Sequence, residues 1–488
     1  MSRKTGKGND LTTGTVWKKL LIFFVPIAAG TIIQQLYNAV DGLIVGRYVG
    51  TVALAAVGGS SAQIINVLVG FFVAMTAGAS VVIGQIYGSG RREDLNRAIG
   101  SSIAALGLFS MALMLFGVVA SPWMLRLLNT PEETMDGAVM YLRIYFVGVP
   151  FVMILNMESS ILRAMGDSFH PFLFMVVGCV LNIVLDVVFV VAFGWGIAGV
   201  AIATVVSQAA NMGLLTWQMT RNREGYGIRI QDLRLKGVYL IHMLRLGIPA
   251  GLQSSMYSIS NMIIQVAVNS LGTVVVASWT MSGKIDGLFW AVSNALGASI
   301  TSFIAQNHGA GKTDRVRQCV RQGLILAFGV TIGLSALLML CAIPVLRILT
   351  PDEAVVETTY QIMSYFVPYY FTWVLVEVLS AVLRGAGDAI RPVIIIGIGI
   401  CLFRIIWIGT VFSQVGTLFS LCLSYTVSCH YQHRPFRLLQ EGKVDEPQAA
   451  GGQVLSIGAY GEDAASVTLS VCYRKGKWTN GRQLMDRF

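Results

Sequence analysis

The segment Leu20–Arg47, LLIFFVPIAAGTIIQQLYNAVDGLIVGR, constrains the fold most, because it is long and apolar and yet carries a carboxylate at Asp41. A run of about 20 apolar residues can cross the hydrocarbon core of a bilayer as a helix. An ionisable side chain inside lipid costs at least about 2.5 kcal/mol, so it usually faces a protein interior or an aqueous cavity. The segment therefore predicts a membrane helix in which Asp41 lies on the path of an ion or a substrate.

Apolar runs of this length recur along most of the chain. Hydrophobic residues make up 55% of the 488 residues and charged residues 12%, whereas soluble domains carry about 25% charged residues. No period-two alternation typical of a membrane barrel is present. The composition therefore predicts an all-α polytopic membrane protein with about twelve spans. The predicted spans are residues 18–44, 54–86, 96–120, 135–161, 171–194, 196–219, 239–269, 273–305, 318–344, 354–382, 391–412 and 414–428.

Basic residues accumulate in alternate loops, and this asymmetry predicts the orientation. Because short cytoplasmic loops carry an excess of Lys and Arg, we expect the N-terminus and the basic loops on the cytoplasmic side of the cell membrane. These loops also account for the formal net charge of +10, so nucleic acid is not an expected partner. The basic loop residues are Arg91, Arg92 and Arg97; Arg163; Arg221, Arg223, Arg229, Arg234 and Lys236; Lys312, Arg315, Arg317 and Arg321; Arg384 and Arg391.

Other chemistry-bearing residues argue against several function classes. The seven cysteines contain no C-x-x-C pair and the five histidines have no metal-ligand spacing, so no resident metal is expected. No glycine-rich segment matches a P-loop, and no paired nucleophile and base occur at a common depth. We expect a protein that is not an enzyme, binds no cofactor, and keeps its first span, which is longer than a signal-peptide core.

An internal repeat divides the chain into two similar halves. Residues 85–91 (QIYGSGR) match 306–312 (QNHGAGK), and residues 162–171 (LRAMGDSFHP) match 383–392 (LRGAGDAIRP). Both pairs are separated by 221 residues (306 − 85 and 383 − 162). The glycines of these motifs predict left-handed helix ends, and we prefer this structural role to direct substrate contact.

Two halves of six helices predict a transporter. Because six is even, both halves begin on the same side, which gives parallel repeats related by an axis along the membrane normal. Rocking of two such lobes exposes a central cleft alternately to either side. We expect an N-lobe at 1–219, a cytoplasmic linker at 220–237 and a C-lobe at 238–428, with Arg163 and Asp167 paired at the cytoplasmic rim.

Taken in order, the motifs resemble those of the multidrug and toxic compound extrusion (MATE) family, and most closely its prokaryotic DNA-damage-inducible and archaeal branch. The resemblance covers about residues 15–428. It rests on Pro26 with QQLYNAVDGLIVGR in the first span, GASVVIGQIYGSG after the second, both LRxxGD motifs, and Asn182-x-x-x-Asp186 in the fifth. It implies two six-helix lobes and an antiporter, expected to be monomeric, that exchanges H⁺ or Na⁺ for drugs or other amphipathic organic compounds by alternating access.

The resemblance also implies a cation-coupling site in the N-lobe. In the archaeal exporters of this family, an aspartate of the first helix, an Asn-x-x-x-Asp pair of the fifth and a threonine of the sixth line the cavity. The matching residues are Asp41, Asn182, Asp186 and Thr204, and a rise of about 1.5 Å per residue places them at similar depth in the outer half of the membrane. Desolvation there makes proton or Na⁺ binding by the two aspartates competitive.

A structural interpretation of these residues competes with the functional one. Asp41 would then cap a helix end at the outer interface near Arg47, and Asn182 and Asp186 would only join helices. Glu158, near the cytoplasmic end of the fourth span, is assigned a structural role. On the functional interpretation, three further polar residues of the first span line the substrate pathway, namely Gln34, Tyr37 and Asn38.

The C-lobe spans contain four ionisable candidates for the substrate pathway: Lys284, Asp286, Glu377 and Arg404. Sodium-coupled members of the family carry acidic residues in the seventh and tenth helices, but the seventh span here, 239–269, has none. This departure argues against a sodium site in the C-lobe. Arg404 needs a partner or water, and Glu377 or Asp286 is its candidate partner, so structural pairing and substrate binding remain equally open for these four residues.

The last predicted helix is too short. By the repeat it should run from Gly416 to about residue 439, but apolarity stops at Ser428. Codons permitted for Leu438–Asp445 encode Tyr-Tyr-Arg-Lys-Gly-Lys-Trp when they are read one base later, which would form a basic helix end. We therefore expect residues 429–488 to be an irregular, frame-displaced tail. Codons in the gene whose next frame lacks this peptide would contradict that hypothesis.

The alternative transport function is a flippase for lipid-linked saccharides, since related folds perform that task. A more basic cleft with paired arginines inside the spans would favour a flippase. Only Arg404 is evident there.

Overall fold

The structure, a computed structural model, describes residues 10–221 and 230–431. Throughout these residues the secondary structure is helical, with α-, π- and 3-10-helical segments and no strand. Within the same residues, ten helical stretches are long and apolar enough to cross a bilayer. The predicted all-α polytopic architecture is therefore confirmed.

The molecule divides into two units, Met1–Ser255 and Met256–Phe488, and each has its own packing. The division falls inside the helix Gly237–Asn269, which corresponds to the predicted seventh span. The predicted limits of the lobes and the linker stay predictions, and residues 222–229 of that linker lie outside the described residues.

The helices of the first unit follow the first six predicted spans, and short irregular turns divide some of them. They are α1 (Val16–Ile44, continued by the π-helical Val45–Val49), α2 (Thr51–Gly58), α3 (Ser60–Gly88), α4 (Arg92–Leu127), α5 (Glu132–Ala164), α6 (Phe169–Asp186, continued by the π-helical Val187–Ala192), α7 (Gly196–Thr220), the 3-10 turn Ile230–Asp232 and the first part of α8 (Gly237–Asn269).

The helices of the second unit correspond to the seventh to twelfth predicted spans. They are the second part of α8, α9 (Thr273–Gly309), α10 (Thr313–Leu349), α11 (Glu353–Phe366), α12 (Tyr370–Ala386), α13 (Ile390–Ile396), α14 (Phe403–Trp407), α15 (Ser413–Val415) and α16 (Leu418–Tyr431), with π-helical or 3-10 turns at Val367–Tyr369, Gly397–Leu402 and Ile408–Phe412.

The repeated glycine motifs form the helix ends that the sequence predicts. Gly90 and Gly311 have φ angles of 76° and 68°, and Gly166 and Gly387 have φ angles of 90° and 100°. A side chain with a Cβ rarely adopts this left-handed conformation, so glycine is required at these turns. The two halves therefore use the same local chemistry to end equivalent helices.

The predicted pair between Arg163 and Asp167 is wrong. The Asp167 carboxylate accepts hydrogen bonds from the N–H groups of Phe169 and His170 at 3.1 Å, and its Oδ2 lies 2.6 Å from His170 Nδ1. Arg163 Nη2 instead donates to Ser160 Oγ at 3.3 Å. The free N–H groups at the start of α6 lie next to Asp167 in the chain and satisfy its carboxylate. Pairing with Arg163 would instead require the long arginine side chain to be held in one conformation.

The centre of the first unit is α5, which packs against α2, α3, α4 and α7. Phe146 of α5 is fully buried and lies against Gly117 of α4, where any Cβ would overlap the phenyl ring. Small residues at helix contacts let backbones approach closely in a membrane, where the hydrophobic effect does not drive helices together. The contact between Phe146 and Gly117 thus fixes how close α4 and α5 can lie.

Two further glycine contacts hold α6 between its neighbours. A Cβ at Gly30 of α1 would overlap Met175 of α6, and a Cβ at Gly178 of α6 would lie 2.8 Å from Asn211 Nδ2 of α7. Close approach at these two points brings the polar residues of α1, α6 and α7 towards one another.

The last helix, α16, contains 14 residues, fewer than the roughly 20 that a membrane span needs. The twelve predicted spans therefore correspond to the ten long apolar stretches, to α8 and to this short helix. Apart from the end of α16, the predicted irregular and frame-displaced tail at 429–488 lies outside the described residues, and it stays a prediction.

Candidate functional site

The candidate cation site is built where the C-terminal parts of α1 and α6 meet. Asp41 lies one turn before the end of α1, inside the helix, and Asp186 is the last residue of α6. Asp186 is fully buried and Asp41 is half-buried. The helix continues past Asp41 into a π-helical turn, so Asp41 does not cap the end of the helix. The structural interpretation of Asp41 required such a cap.

The two carboxyl groups lie within reach of a hydrogen bond from one to the other if either carries a proton. Asp41 Oδ1 and both carboxylate oxygens of Asp186 are buried and have no hydrogen-bond partner among the described residues. Two ionised carboxylates can only accept hydrogen bonds, so neither can satisfy the other. A shared proton, or a cation between them, would remove both the repulsion and the missing bonds.

Asn182 adds an amide to this carboxylate pair. It lies four residues before Asp186 on α6, so the two side chains project from the same helix face. Asn182 is 1% exposed, and within the described chain neither its Oδ1 nor its Nδ2 has a hydrogen-bond partner. The site therefore holds buried oxygen atoms that can accept and one amide group that can also donate.

Three tyrosines surround the carboxylates. Tyr37 lies one turn before Asp41 on α1, and Tyr141 and Tyr145 of α5 lie one turn apart with ring centroids separated by 6.1 Å. Tyr37 and Tyr141 are close enough to Asp41 and Asp186 to interact with them electrostatically, and Tyr145 interacts with both of these tyrosines. The sequence identified Tyr37 but missed the two tyrosines of α5, whose four-residue spacing was the available signal.

The other predicted residues of the first unit lie outside this buried pair. The Thr204 hydroxyl donates to Val200 O of its own helix at 3.0 Å, and in the described chain it makes no hydrogen bond to either aspartate. Gln34 and Asn38 are exposed on α1. The roles of these three residues in cation coupling and in the substrate pathway stay predictions.

In the second unit, Asp286 lies in an aromatic cluster. Trp290 Nε1 donates to Asp286 Oδ2 at 2.8 Å, and Tyr370 Oη donates to Asp286 Oδ1. The rings of Phe289 and Tyr370 stack with centroids 3.9 Å apart, and those of Trp290 and Trp373 meet edge-to-face at 5.0 Å. Asp286 thus presents a half-buried carboxyl group among aromatic faces.

Of the two partners that the sequence suggested for Arg404, Asp286 lies near it, whereas Glu377 pairs with another residue. Arg404 is 6% exposed, its Nε donates to Ser428 Oγ at 3.2 Å, and its Cζ lies 3.7 Å from the ring centroid of Tyr425. It also lies near enough to Asp286 to attract it. Glu377 does not pair with Arg404.

Glu377 forms an ion pair with Arg384, at 3.1 Å, on its own helix. Gly297 of α9 makes room for the Glu377 carboxylate, because a Cβ there would overlap it. Lys284 is exposed. The substrate-pathway roles of Glu377 and Lys284 stay predictions.

The donor set around Asp41 and Asp186 contains two carboxylates. Among residues 10–221 and 230–431, no three His, Cys, Asp or Glu side chains lie close enough together to hold a metal ion. Na⁺ would therefore need the Asn182 amide oxygen, backbone carbonyls or water in addition to the carboxylates. A proton would need only the two aspartates.

Comparison with known proteins gives consistent matches over most of the chain. The family model described as MatE matches residues 26–188 and 249–408, once in each half of the repeat. The probable multidrug resistance protein YoeA of Bacillus subtilis is 27% identical over 78% of this chain and 84% of its own length. The probable multidrug resistance protein YpnP of the same organism is 32% identical over 64% of this chain and 69% of its own length.

A solved structure gives the same result for the fold. The outward-facing conformation of a multidrug resistance MATE family transporter of the MOP superfamily superimposes with a TM-score of 0.81 at 22% sequence identity, and the match covers 89% of this chain and 99% of that chain. At this level of identity the similarity establishes the two-lobe fold.

Proposed function

This chain belongs to the MatE family of multidrug transporters, and from that premise we propose that it is a cation-coupled antiporter that exports amphipathic organic compounds. The observation that carries the proposal is the buried pair of Asp41 and Asp186, whose carboxylates face each other without donors. Such a pair binds one cation well, and it holds two uncompensated negative charges when that cation leaves.

The pair links cation binding to the position of α1. Without a cation, repulsion between Asp41 and Asp186 destabilises the contact between α1 and α6. With a cation, attraction of both carboxylates to it stabilises the same contact. A cation that binds one arrangement of the two helices more tightly shifts the population towards it. In an antiporter, substrate binds the other arrangement, so inward movement of the cation drives outward movement of the substrate.

The aromatic cluster at Asp286 is the proposed recognition element for substrates with a positive charge. A carboxylate attracts an organic cation, and aromatic faces stabilise cations by about 0.5–2 kcal/mol when water is excluded. Both oxygens of Asp286 already accept hydrogen bonds, which hold the carboxylate in place for a ligand. This arrangement suits a lipophilic cation better than a phosphorylated saccharide.

The flippase alternative is not favoured. Arg404 is nearly buried and is covered by Tyr425 and Ser428, so little of its guanidinium remains to bind a phosphate. The named relatives are multidrug resistance proteins. We place the chain in the cell membrane as a multi-pass monomer with a cytoplasmic N-terminus, where it binds small organic molecules and no nucleic acid.

Dye uptake by everted membrane vesicles tests the proposal. Vesicles that contain the wild-type chain should accumulate a lipophilic cationic dye when a proton or a sodium gradient is imposed separately, and the gradient that works identifies the coupling ion. Asp41→Asn should abolish the uptake. Asp314→Asn, the same change at a position 86% exposed in its side chain, should leave it intact. Full gradient-driven uptake by the Asp41→Asn protein would overturn the proposal.

A further inference from the structure

A second buried carboxyl lies in the first unit, away from the candidate cation site. Glu158 of α5 is 0% exposed. Its Oε1 accepts a hydrogen bond from Thr216 Oγ1 of α7 at 2.5 Å, and in the described chain its Oε2 is buried with no hydrogen-bond partner. Neither the sequence prediction of a merely structural role nor the proposed cation site accounts for this carboxyl.

Among residues 10–221 and 230–431, no positively charged side chain forms an ion pair with Glu158. The helices α3 and α7, which pack against α5, contain no Asp, Glu, Lys or Arg, and within the described residues no ion pair includes Glu158. On α5 the nearest basic residue is Arg163, whose guanidinium donates to Ser160. The ionisable groups on the other helices packed against α5 are Arg92, Glu93, Asp94, Arg97 and Arg126 of α4 and His170 and Asp186 of α6.

Most of these ionisable groups have partners of their own. Glu93 pairs with Arg97, and Asp94 pairs with Arg91 and accepts from Tyr239 Oη at 2.7 Å. His170 pairs with Asp167. Glu158 therefore interacts with one hydroxyl group, that of Thr216, and with no formal charge that the structure places beside it.

An ionised carboxylate in this position would carry a buried charge with no countercharge beside it, which is strongly unfavourable. A neutral carboxyl leaves only one uncharged oxygen unsatisfied, which is less unfavourable. We propose that Glu158 is a second proton-binding site of the first unit, and that it exchanges its proton with the Asp41–Asp186 pair through water molecules held by the buried amides of Asn182 and Asn211.

The geometry fits a proton better than a metal cation. The carboxyl and the Thr216 hydroxyl offer three oxygen atoms, whereas hard cations commonly bind about six or more. A single proton needs only one oxygen atom, which the carboxyl itself supplies. A sodium ion at this site would need further oxygen ligands from water or backbone carbonyls, whereas a proton would not.

The two amides lie between Glu158 and the aspartates. At about 1.5 Å per residue, Asp186 is about 26 Å along α6 from the α5–α6 connection, and Glu158 is about 9 Å along α5 from it. Asn182 lies one turn below Asp186. Asn211 packs against Gly178, one further turn down α6, and its Oδ1 is buried without a hydrogen-bond partner in the described chain.

Buried polar atoms without partners are rare in folded proteins, and ordered water usually satisfies them. Asp186, Asn182, Asn211 and Glu158 each have at least one such atom, and together they extend from the outer end of α6 towards the α5–α6 connection. We assign these atoms to a hydrated proton path. The exchange step rests on the proposed proton coupling, whereas protonation of Glu158 does not.

Infrared spectroscopy of the purified full-length protein in lipid tests the protonation directly. In the wild-type minus Glu158→Gln difference spectrum at neutral pH, we expect the C=O band of a carboxylic acid. Thr216→Val should move that band to higher frequency, because the carbonyl loses its hydrogen bond. If this difference spectrum shows a carboxylate band in place of the acid band, the proposal is overturned. If Glu158→Gln does not yield a monodisperse protein, the Thr216→Val variant tests the proposal by itself. A shift of the acid band supports protonation of Glu158, and the absence of a shift overturns it.

Glu377→Gln is the matched control for this measurement. Glu377 pairs with Arg384 at 3.1 Å, so it should be ionised, and its replacement should remove a carboxylate band. An acid band removed by Glu377→Gln would show that the method does not separate paired from unpaired carboxyls, and the Thr216→Val shift would then decide the assignment of Glu158.

Proton-driven dye uptake in reconstituted vesicles tests the exchange step. Glu158→Gln should slow uptake at least about 10-fold while leaving the Kd for the dye unchanged, because the dye does not contact this residue. Unchanged uptake would overturn the exchange step. If wild-type vesicles show no proton-driven uptake, the proposed proton coupling fails, whereas the infrared result on Glu158 stands independently.

Discussion

Asp41 and Asp186 show how a residue acquires its chemistry from the position of another. Each aspartate by itself is an acidic side chain in an apolar helix. Their proximity, together with the missing donors around them, creates a site whose free energy depends on whether a cation is present. Tyr37 and Tyr141 border the carboxylates, so the site has an aromatic wall that the sequence indicated only in part.

Asp286 gives a prediction about substrate charge. Asp286→Asn removes the negative charge but keeps a side chain of the same size between Trp290 and Tyr370. We expect the Kd for a lipophilic organic cation to rise about 10-fold, which corresponds to about 1.4 kcal/mol, because the charge attraction is lost. Fluorescence titration of the purified protein in detergent measures this change.

Two controls accompany the Asp286 titration. The Kd for a neutral amphipathic compound should not change, since that ligand has no charge for Asp286 to attract. Glu357→Gln, at an exposed position, should change neither Kd. An equal loss of affinity for the neutral and the charged ligand would show that Asp286 acts through local structure rather than through its charge.

At the scale of helices, glycines set the distances between neighbouring elements. Gly117→Ala places a Cβ where the ring of Phe146 lies. Overpacking of this kind costs typically about 1–3 kcal/mol, so we expect a lower midpoint of thermal unfolding, measured by the size-exclusion profile after heating.

Gly107→Ala is the control on the same helix, because nothing lies within 4 Å of a Cβ at that position. Alanine is favoured over glycine inside a helix by about 0.5–1 kcal/mol, so this variant should be as stable as the wild-type protein or slightly more stable. Equal destabilisation by both substitutions would contradict the role assigned to the contact between Gly117 and Phe146.

The helices and their ends could be predicted because their causes are local in sequence. Apolar length predicts a span, and a glycine after an apolar run predicts the left-handed turns at Gly90 and Gly311. The hydrogen-bond partners of the side chains could not be predicted in this way. Arg163 and Asp167 are close in sequence and yet bond to other groups, because N–H groups at the start of α6 compete for the Asp167 carboxylate.

The residues of the candidate site could be predicted where the family motif contains them. Elsewhere the prediction was incomplete. The motif leads to Asp41, Asn182 and Asp186, which the structure groups within the first unit. Tyr141 and Glu158 lie on α5, and although the four-residue spacing of Tyr141 and Tyr145 places them on one face, the sequence alone does not show which face of α5 lies towards the aspartates or towards α7. Their importance follows from burial and from missing partners, which are properties of the packed helices.

At the scale of the whole molecule, the repeat supplies two units with the same helix ends and different interiors. The first unit holds carboxyls without ion-pair partners, at Asp186 and Glu158. In the second unit, Glu377 pairs with Arg384 and Asp286 accepts hydrogen bonds from aromatic residues. We therefore assign cation coupling to the first unit and recognition of charged substrates to the second.

The most direct test of this division is calorimetry of substrate binding. Titration of the purified protein with a lipophilic cation, in buffers of different ionisation enthalpy and with or without Na⁺, counts the cations that the substrate displaces. We predict that the wild-type protein releases about one cation per bound substrate, whereas Asp186→Asn binds the substrate and releases none. The same release from wild-type and Asp186→Asn protein would contradict the assignment of the coupling site to Asp41 and Asp186.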